Sequence, residues 1–314
     1  MLVCLVNYEK YCAEGRDRLK AAGYEVTFNP HGRVYRPEEL HKAIADVDAV
    51  IADNEEWNEA SYQAAPKLKV IAKFGVGLNN FDLEAAKRHN VVVANCAGLN
   101  ANTVSEQTIA LFLGMLKRIP QLAAALKRGE WPKAEYPVFA GRKAGLLGFG
   151  AIGKKVAAKL VGMGLEVSAY DKFPDAEAAA AIGVAMTGME AVMRGSDYIF
   201  VHVPYLKETH HLVNDDTIAM MKEGVYLVNT ARGLVVDEAA AARALDSGKM
   251  AGMASDVFEV EPPPADTPVF ACDNYICTPH IAGDAFENMR ANGLATAAII
   301  TDVFAGREPR NRQA

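Results

Sequence analysis

Three polar residues near the end of the chain stand in otherwise apolar, strand-like surroundings. They are Arg232 in Val-Asn-Thr-Ala-Arg-Gly (228–233), Glu261 in Asp-Val-Phe-Glu-Val-Glu (256–261) and His280 in Cys-Thr-Pro-His (277–280). A guanidinium matches a planar pair of acceptors, such as a carboxylate beside a keto oxygen, where a lysine point charge does not. An imidazole delivers a proton near neutral pH, and a partner carboxylate holds it in one tautomer and favours its protonated form. Together they are what reduction of a 2-keto acid demands, because charge develops on the keto oxygen as a hydride arrives. Each residue alone has a bland alternative: an Arg in a surface salt bridge, a Glu on a loop, a capping His. The other histidines read as structural. His31, His41 and His89 fall in polar turns or helices, and His210 and His211 follow Glu208-Thr209. His202, in a strand before Pro204, is expected near a cofactor without chemical duty.

The cofactor argument rests on Gly148-Phe149-Gly150-Ala151-Ile152-Gly153. A lone G-x-G-x-x-G is weak, but this one follows an apolar strand at 144–149 and opens an amphipathic helix at Ala151. In that setting the glycines permit a tight turn, close approach of a pyrophosphate, and tight helix–strand packing. The helix N-terminus offers N–H groups and a positive dipole end to the phosphates. Asp171 closes the next strand, 18 residues after Gly153. Its carboxylate accepts from ribose hydroxyls and repels a 2′-phosphate, so NAD is expected rather than NADP. Lys172 beside it runs against that preference.

The elements that must position these groups alternate strand and helix almost throughout. Strands are expected at 2–8, 24–29, 49–53, 69–74 and 91–95. A second series follows at 144–149, 166–171, 198–204, 225–230, 250–257 and 275–278, with helices near 152–163, 215–221 and 237–247. Such alternation implies parallel sheets covered on both faces, here as an α/β chain with two doubly wound, Rossmann-like domains. A long apolar helix at 102–116, with Asn102 or Thr103 as its cap, can carry the chain between them. An Ala-rich helix at 285–304 has no strand after it and can return to the first domain. After a helical stretch at 121–127, the turn-prone 129–137 carries Trp131 and Tyr136, either an arm that grips a second subunit or a plain surface loop.

Composition excludes several classes. A chain of 314 residues with 51% hydrophobic residues can bury a large core, while a net charge of −6, without a Lys/Arg cluster, argues against nucleic acid. The N-terminus reads as a first strand rather than a signal peptide, and no run approaches membrane-spanning length. Five cysteines (Cys4, Cys12, Cys96, Cys272, Cys277) form no Cys-x-x-Cys pair. They are expected as free thiols in a reducing cytoplasm, with no metal site.

With these residues in view, the chain resembles the D-isomer-specific 2-hydroxyacid dehydrogenase family, which includes phosphoglycerate dehydrogenases and hydroxypyruvate reductases. The similarity covers nearly the full length: 70–77 (Val-Ile-Ala-Lys-Phe-Gly-Val-Gly), Asn80-Phe81-Asp82, Gly148 to Gly153, His202-Val203-Pro204, 228–233, Asp256-Val257-Phe258, Glu261-Pro262 and Thr278-Pro279-His280. The resemblance implies that Arg232, Glu261 and His280 are the catalytic set, with His280 as proton donor. It implies NAD contacts from Ile152, Asp171, Thr230, Ala231, Asp256 and Gly283, with Val203, Pro204, Arg232 and His280 beside the cofactor. Val76 and Gly77 would offer backbone N–H groups to the substrate carboxylate, alongside Arg232 and His280. It implies a discontinuous substrate domain, 1–98 with 285–314, around an NAD-binding domain at 99–284, and a homodimer.

The departures bear on substrate. Where phosphoglycerate dehydrogenases typically carry Arg-Ser, residues 53–59 read Asp-Asn-Glu-Glu-Trp-Asn-Glu. This acidic segment would repel a phosphate if it faces the pocket; otherwise it points to solvent and starts a helix. Ending at residue 314, the chain is expected to lack the regulatory domain of the longer serine-pathway enzymes. Tyr205 and Leu206 replace the usual Leu-Thr. Formate dehydrogenases of this fold have glutamine where Glu261 stands, which disfavours that reaction. The alternative function is an NAD-sensing, corepressor-like binding protein without turnover; the absence of long disordered tails favours the enzyme.

Overall fold

Short aliphatic runs become parallel strands when helical crossovers cover both their faces. The computed structural model, which describes residues 1–6 and 8–314, shows this twice. One unit comprises Met1–Asn100 and Gly283–Ala314, the other Ala101–Ala282. Among the described residues the first unit holds a five-stranded parallel sheet in the order β2-β1-β3-β4-β5. Its strands are β1 (Leu2–Val3), β2 (Thr27–Phe28), β3 (Ala49–Ala52), β4 (Val70–Lys73) and β5 (Val92–Ala94). Side chains alternate between two cores: Val50 and Ile71 face Leu40, Ile44 and Trp57, while Ile51 and Val70 face Leu19, Ile299 and Ile300.

The second unit holds a seven-stranded parallel sheet in the order β12-β11-β10-β9-β6-β7-β8. Here β6 is Lys143–Leu147, β7 Glu166–Tyr170, β8 Ala185–Met186, β9 Tyr198–Val201, β10 Val225–Asn229, β11 Met250–Ser255 and β12 Tyr275–Cys277. Chain order reverses at β6, between β9 and β7, and that crevice at the strand C-termini is where open α/β sheets take ligands. Leu147, Val201 and Leu227 pack on one face of the sheet, and Leu146, Phe200 and Val228 on the other against Phe112 and Val156.

Several expectations need correction. The strand expected over 2–8 is confined to Leu2–Val3, and Tyr8 instead opens a helix, Tyr8–Tyr11; Asn7 lies outside the described residues. Tyr8 is buried, and its hydroxyl donates to Gly293 O (3.2 Å), so the ring serves a helix contact rather than a strand face. The long helix runs Ala101–Leu116, placing Asn102 and Thr103 inside its first turn rather than at its cap. β8 was not expected at all, since two residues carry no readable period. Residues 128–142 form neither helix nor strand, and Trp131, Tyr136 and Val138 lie exposed there. Lys117 Nζ stands 4.2 Å over the Tyr136 ring and donates to Pro137 O (3.2 Å). No single helix among the described residues is long and apolar enough to cross a membrane.

In the first unit the closing helix, Phe286–Phe304, packs on the helix Ala13–Ala21. The two backbones approach so closely that a Cβ on Gly15 would lie 2.3 Å from Gly293 O, and one on Gly293 would lie 2.6 Å from Cys12 Cβ. Gly293→Ala should therefore destabilise the fold by about 1–3 kcal/mol, the usual cost of overpacking, and lower the thermal and urea midpoints accordingly. Gly162, at a helical position with open space around its Cα, is the control: Gly162→Ala should be neutral or stabilising. Equal midpoints for Gly293→Ala and the parent would refute the crossing.

Candidate active site

The nucleotide fingerprint begins where β6 ends. Gly148 adopts φ +105°, its N–H donates to Tyr170 O (2.8 Å), and a Cβ there would strike the His202 backbone at 2.6 Å. The helix Ala151–Gly162 starts at once, with Gly150 at its N-cap and no side chain capping it. A Cβ on Gly153 would lie 2.3 Å from Gly148 O, so the helix sits directly on the turn, whereas the space beside Gly150 is open. Asp171 follows β7, and its carboxylate accepts from Phe149 N–H (2.7 Å) and Phe173 N–H (2.8 Å). Those bonds fix the acid beside the turn and leave lone pairs for ribose hydroxyls. An uncapped helix start, open space at Gly150 and a fixed carboxylate fit a dinucleotide.

His202, Val203 and Pro204 follow β9, across the crevice from the fingerprint. Both His202 ring nitrogens are buried without a protein partner, and burial pushes the imidazole down to about 3. Burial thus favours the neutral ring. Thr230 is buried, its hydroxyl 2.8 Å from that of Thr108.

Arg232 is set by the turn after β10. Asn229, itself buried, donates to Arg232 O (3.0 Å) and accepts from Ala231 N–H (3.0 Å). The guanidinium is largely buried and bonds Ala231 O through Nη1 (2.5 Å). Burial lowers its pKa from the ordinary arginine value, and the Glu261 charge works in the opposite direction. Glu261 and His280 meet directly, Oε2 to Nδ1 at 2.6 Å, with the side chains 35% and 43% exposed. Glu261 Oε1 accepts from Phe258 N–H (3.0 Å). Burial raises the Glu261 carboxyl, but the His280 bond and charge, the Phe258 N–H and Arg232 together hold it below the usual carboxylate range. With Nδ1 occupied, Nε2 is the ring position left for a ligand.

His280 sits at φ +54°, a left-handed conformation that a non-glycine residue keeps only when its surroundings impose it. The enforcing group is Asp256, fully buried after β11. Its carboxylate accepts from the Thr278 hydroxyl (2.5 Å), Ile281 N–H (3.0 Å) and Ala282 N–H (2.8 Å), on both sides of the histidine. Sequence reading placed Asp256 only against the cofactor; its hold on the His280 loop was missed, since nothing local in Asp-Val-Phe announces a partner 22 residues on. Gln107 Nε2 also donates to Thr278 (3.1 Å).

The remaining candidates lie in the first unit. Val76 and Gly77 follow β4, where Asn95 Nδ2 holds Val76 O (2.8 Å), and Gly283 O accepts from Asn288 Nδ2 (2.6 Å). The 53–59 segment is divided in its loyalties. Asn58 caps the helix Glu59–Gln63, and Glu59 pairs with Arg88 (2.7 Å) and His89 (2.8 Å), as a solvent-side helix start would. Glu55, however, is 2% exposed and accepts from Asp53 N–H (2.8 Å); burial first, then the Asp53 charge, raises its carboxyl. Lys73, buried at the end of β4, donates to Asp53 O and to Asn54 Oδ1 (3.3 Å). A lysine closing the apolar run Val-Ile-Ala-Lys was the available signal for this cluster.

Comparison with known proteins accords with this arrangement. The profile described as "D-isomer specific 2-hydroxyacid dehydrogenase, NAD binding domain" matches residues 109–282, more than half the chain. D-3-phosphoglycerate dehydrogenase from Archaeoglobus fulgidus is 38% identical over 87% of this chain and 53% of its own length. The chain thus spans about half the length of that relative. Hydroxypyruvate reductase from Thermotoga maritima is 36% identical over 82% of this chain and 85% of its own. Among solved structures, D-lactate dehydrogenase from Aquifex aeolicus, complexed with NAD and lactic acid, superposes with a TM-score of 0.85. It is 26% identical, and the match covers 97% of this chain and 95% of that one. The chain belongs to the D-isomer specific 2-hydroxyacid dehydrogenase family, and its second unit carries that family's NAD-binding domain.

Proposed function

We infer that this protein is an NAD-dependent oxidoreductase interconverting a 2-keto acid and a D-2-hydroxy acid. The observation that carries the reading is the 2.6 Å Glu261–His280 pair, hung on the same sheet as the dinucleotide cradle. A protein that only sensed the dinucleotide would have no use for such a pair. In the reductive direction Arg232 clamps the substrate carboxylate and keto oxygen, aided by the Val76 and Gly77 N–H groups. His280 Nε2 gives its proton to the keto oxygen, and Glu261 holds Nδ1 and so fixes the ring's orientation. The bound cofactor supplies the hydride. Gly148, Gly150, Ala151, Ile152, Gly153, Asp171, Val203, Pro204, Thr230, Ala231, Asp256 and Gly283 hold it, with Asp171 on the ribose.

On substrate, we favour a 2-keto acid with an uncharged side chain. The cation at the end of β4, Lys73, is engaged by Asp53 and Asn54, and Asp53 adds negative charge. A second copy of the chain is the expected partner, supported by the exposed aromatics of the 128–142 arm. All five cysteines are unpaired, which fits a reducing cytoplasm.

The direct test is NADH oxidation with glyoxylate, hydroxypyruvate, pyruvate, phenylpyruvate, 2-ketoisocaproate and 3-phosphohydroxypyruvate. Turnover is expected with at least one unphosphorylated acid. Silence across the panel refutes the activity, and preference for the phosphorylated substrate refutes the reading of the 53–59 segment. NADH should be used far more efficiently than NADPH, and Asp171→Ala should narrow that gap by removing an anion opposite the 2′-phosphate. Comparable efficiencies in the parent would contradict this role for Asp171.

His280→Ala should lose roughly 10²–10⁴-fold in turnover while retaining most cofactor affinity. The pH profile of reduction has a worked sign. Glu261 is held below its usual range, so its ionised form persists to lower pH than that of a free carboxyl. On the alkaline side the ring must keep its proton. Glu261→Gln removes the carboxylate 2.6 Å from that ring, so activity should fall away at lower pH than in the parent. An alkaline limb unmoved by Glu261→Gln would reduce the trio to an Arg–His pair.

A further inference from the structure

The turn carrying Glu261 is held by contacts that play no part in the reading above. Gly233, directly after Arg232, lies backbone to backbone against it: a Cβ there would come within 1.8 Å of the Phe258 carbonyl carbon. Glu238 then opens the helix Glu238–Asp246. Its N–H donates to Glu259 Oε1 (2.9 Å), while the Glu259 N–H donates to Glu238 Oε1 (3.0 Å). Two backbone amides and two carboxylates thereby exchange charge-assisted bonds between the helix start and the turn, and a helix N-terminus favours anions at that place. The like charges are costly. Burial raises the Glu238 carboxyl, the Glu259 N–H lowers it, and the charges of Glu259 and Glu261 raise it further. His211 stands beside the pair, Nε2 3.2 Å from Glu259 Oε1 and Nδ1 3.9 Å from Asp237 Oδ2, at ion-pair distance without hydrogen-bond alignment.

We propose that Glu259, with Glu238 as its reciprocal partner, is a positioning residue for the Glu261–His280 pair; this rests on the proton-delivery role argued for that pair. The clasp closes a ring. From Arg232 the chain runs through Gly233 to the helix start at Glu238, crosses the clasp to Glu259, and ends two residues later at Glu261. Arg232 and Glu261 are the two ends of that ring, and the Glu261 charge is felt at the guanidinium. The carboxylate of Glu261 has one backbone anchor of its own, the Phe258 N–H. With the clasp removed, the Gly233 contact and that anchor are what remain to hold the turn, and the 2.6 Å contact to His280 loosens.

The test compares Glu259→Ala, Glu259→Gln and Glu238→Ala in the full chain. Glutamine keeps an oxygen for the Glu238 N–H and should rescue; alanine should not. Glu259→Ala is expected to lose roughly 10- to 100-fold in kcat, the scale of a misplaced group, with NADH affinity unchanged. The alkaline limb of the reduction profile should move towards that of Glu261→Gln. The His280 ring titration, followed by NMR and assigned through His280→Ala, should move the same way. If Glu259→Ala fails to fold, Glu238→Ala removes the other half of the clasp and is read by the same measures. The proposal is overturned if these variants lower only the unfolding temperature and leave kcat and the ring titration at parent values. It is also overturned if Glu259→Gln is as damaged as Glu259→Ala. A parent inactive on every keto acid contradicts the functional reading alone, and the ring titration then decides the clasp.

Discussion

A half-buried carboxylate stays ionised only where cations and donors replace the hydration it has lost. Glu261 is supplied by His280 on one oxygen, the Phe258 N–H on the other, and the charge of Arg232 nearby. Arg232 belongs to the turn after β10, Phe258 and Glu261 to the segment after β11, and His280 to the loop after β12. These are three adjacent strands at one edge of the seven-stranded sheet. Parallel pairing places their following loops side by side, so the shared carboxylate is a consequence of strand order before it is a matter of side-chain choice. An antiparallel neighbour would send its following loop to the opposite end of the sheet and break the constellation.

Strand ends facing a ligand leave backbone groups without ladder partners, and the protein spends buried polar side chains on them. Asn229 closes the Arg232 turn, and Asp256 holds the two N–H groups after His280. A buried group satisfied in this way contributes modestly, whereas leaving it unmet costs about 1–3 kcal/mol. That asymmetry makes such positions specific: substituting Asp256 would orphan three donors and release a strained φ at once. His202 is the contrasting case, a buried imidazole whose nitrogens find no protein partner and which burial keeps neutral.

The sequence disclosed what repeats locally. The two parallel sheets and the fingerprint helix each announce themselves within a few positions, because strand period, helix caps and Gly-x-Gly turns are short-range signals. What stayed hidden is long-range. Asp256 reaches Thr278, Glu238 reaches Glu259, and Lys73 reaches back to Asp53; each pair is made by adjacency of strands or helix ends. Tyr8 misled for the same reason: its apolar ring extended the run that begins at Leu2, yet its partner is Gly293 in a helix at the far end of the chain. Residues 53–59 could not be assigned to pocket or solvent by composition, since one carboxylate of the run is buried, another engages Arg88, and Asp53 lies against Lys73.

The division of labour between the units has a mechanistic consequence. The dinucleotide cradle at β6, β7 and β9 and the Glu261–His280 pair at β11 and β12 belong to one continuous sheet. Hydrogen-bonded strands move as a body, so the relation between the dinucleotide cradle and the Glu261–His280 pair is fixed by the fold. Groups proposed to meet the substrate's carboxylate and side chain, Val76, Gly77 and the Lys73 cluster, belong to the first unit, built on a different sheet. On the proposed function, changes in that unit retune which acid is accepted while the hydride and proton geometry stays as it is.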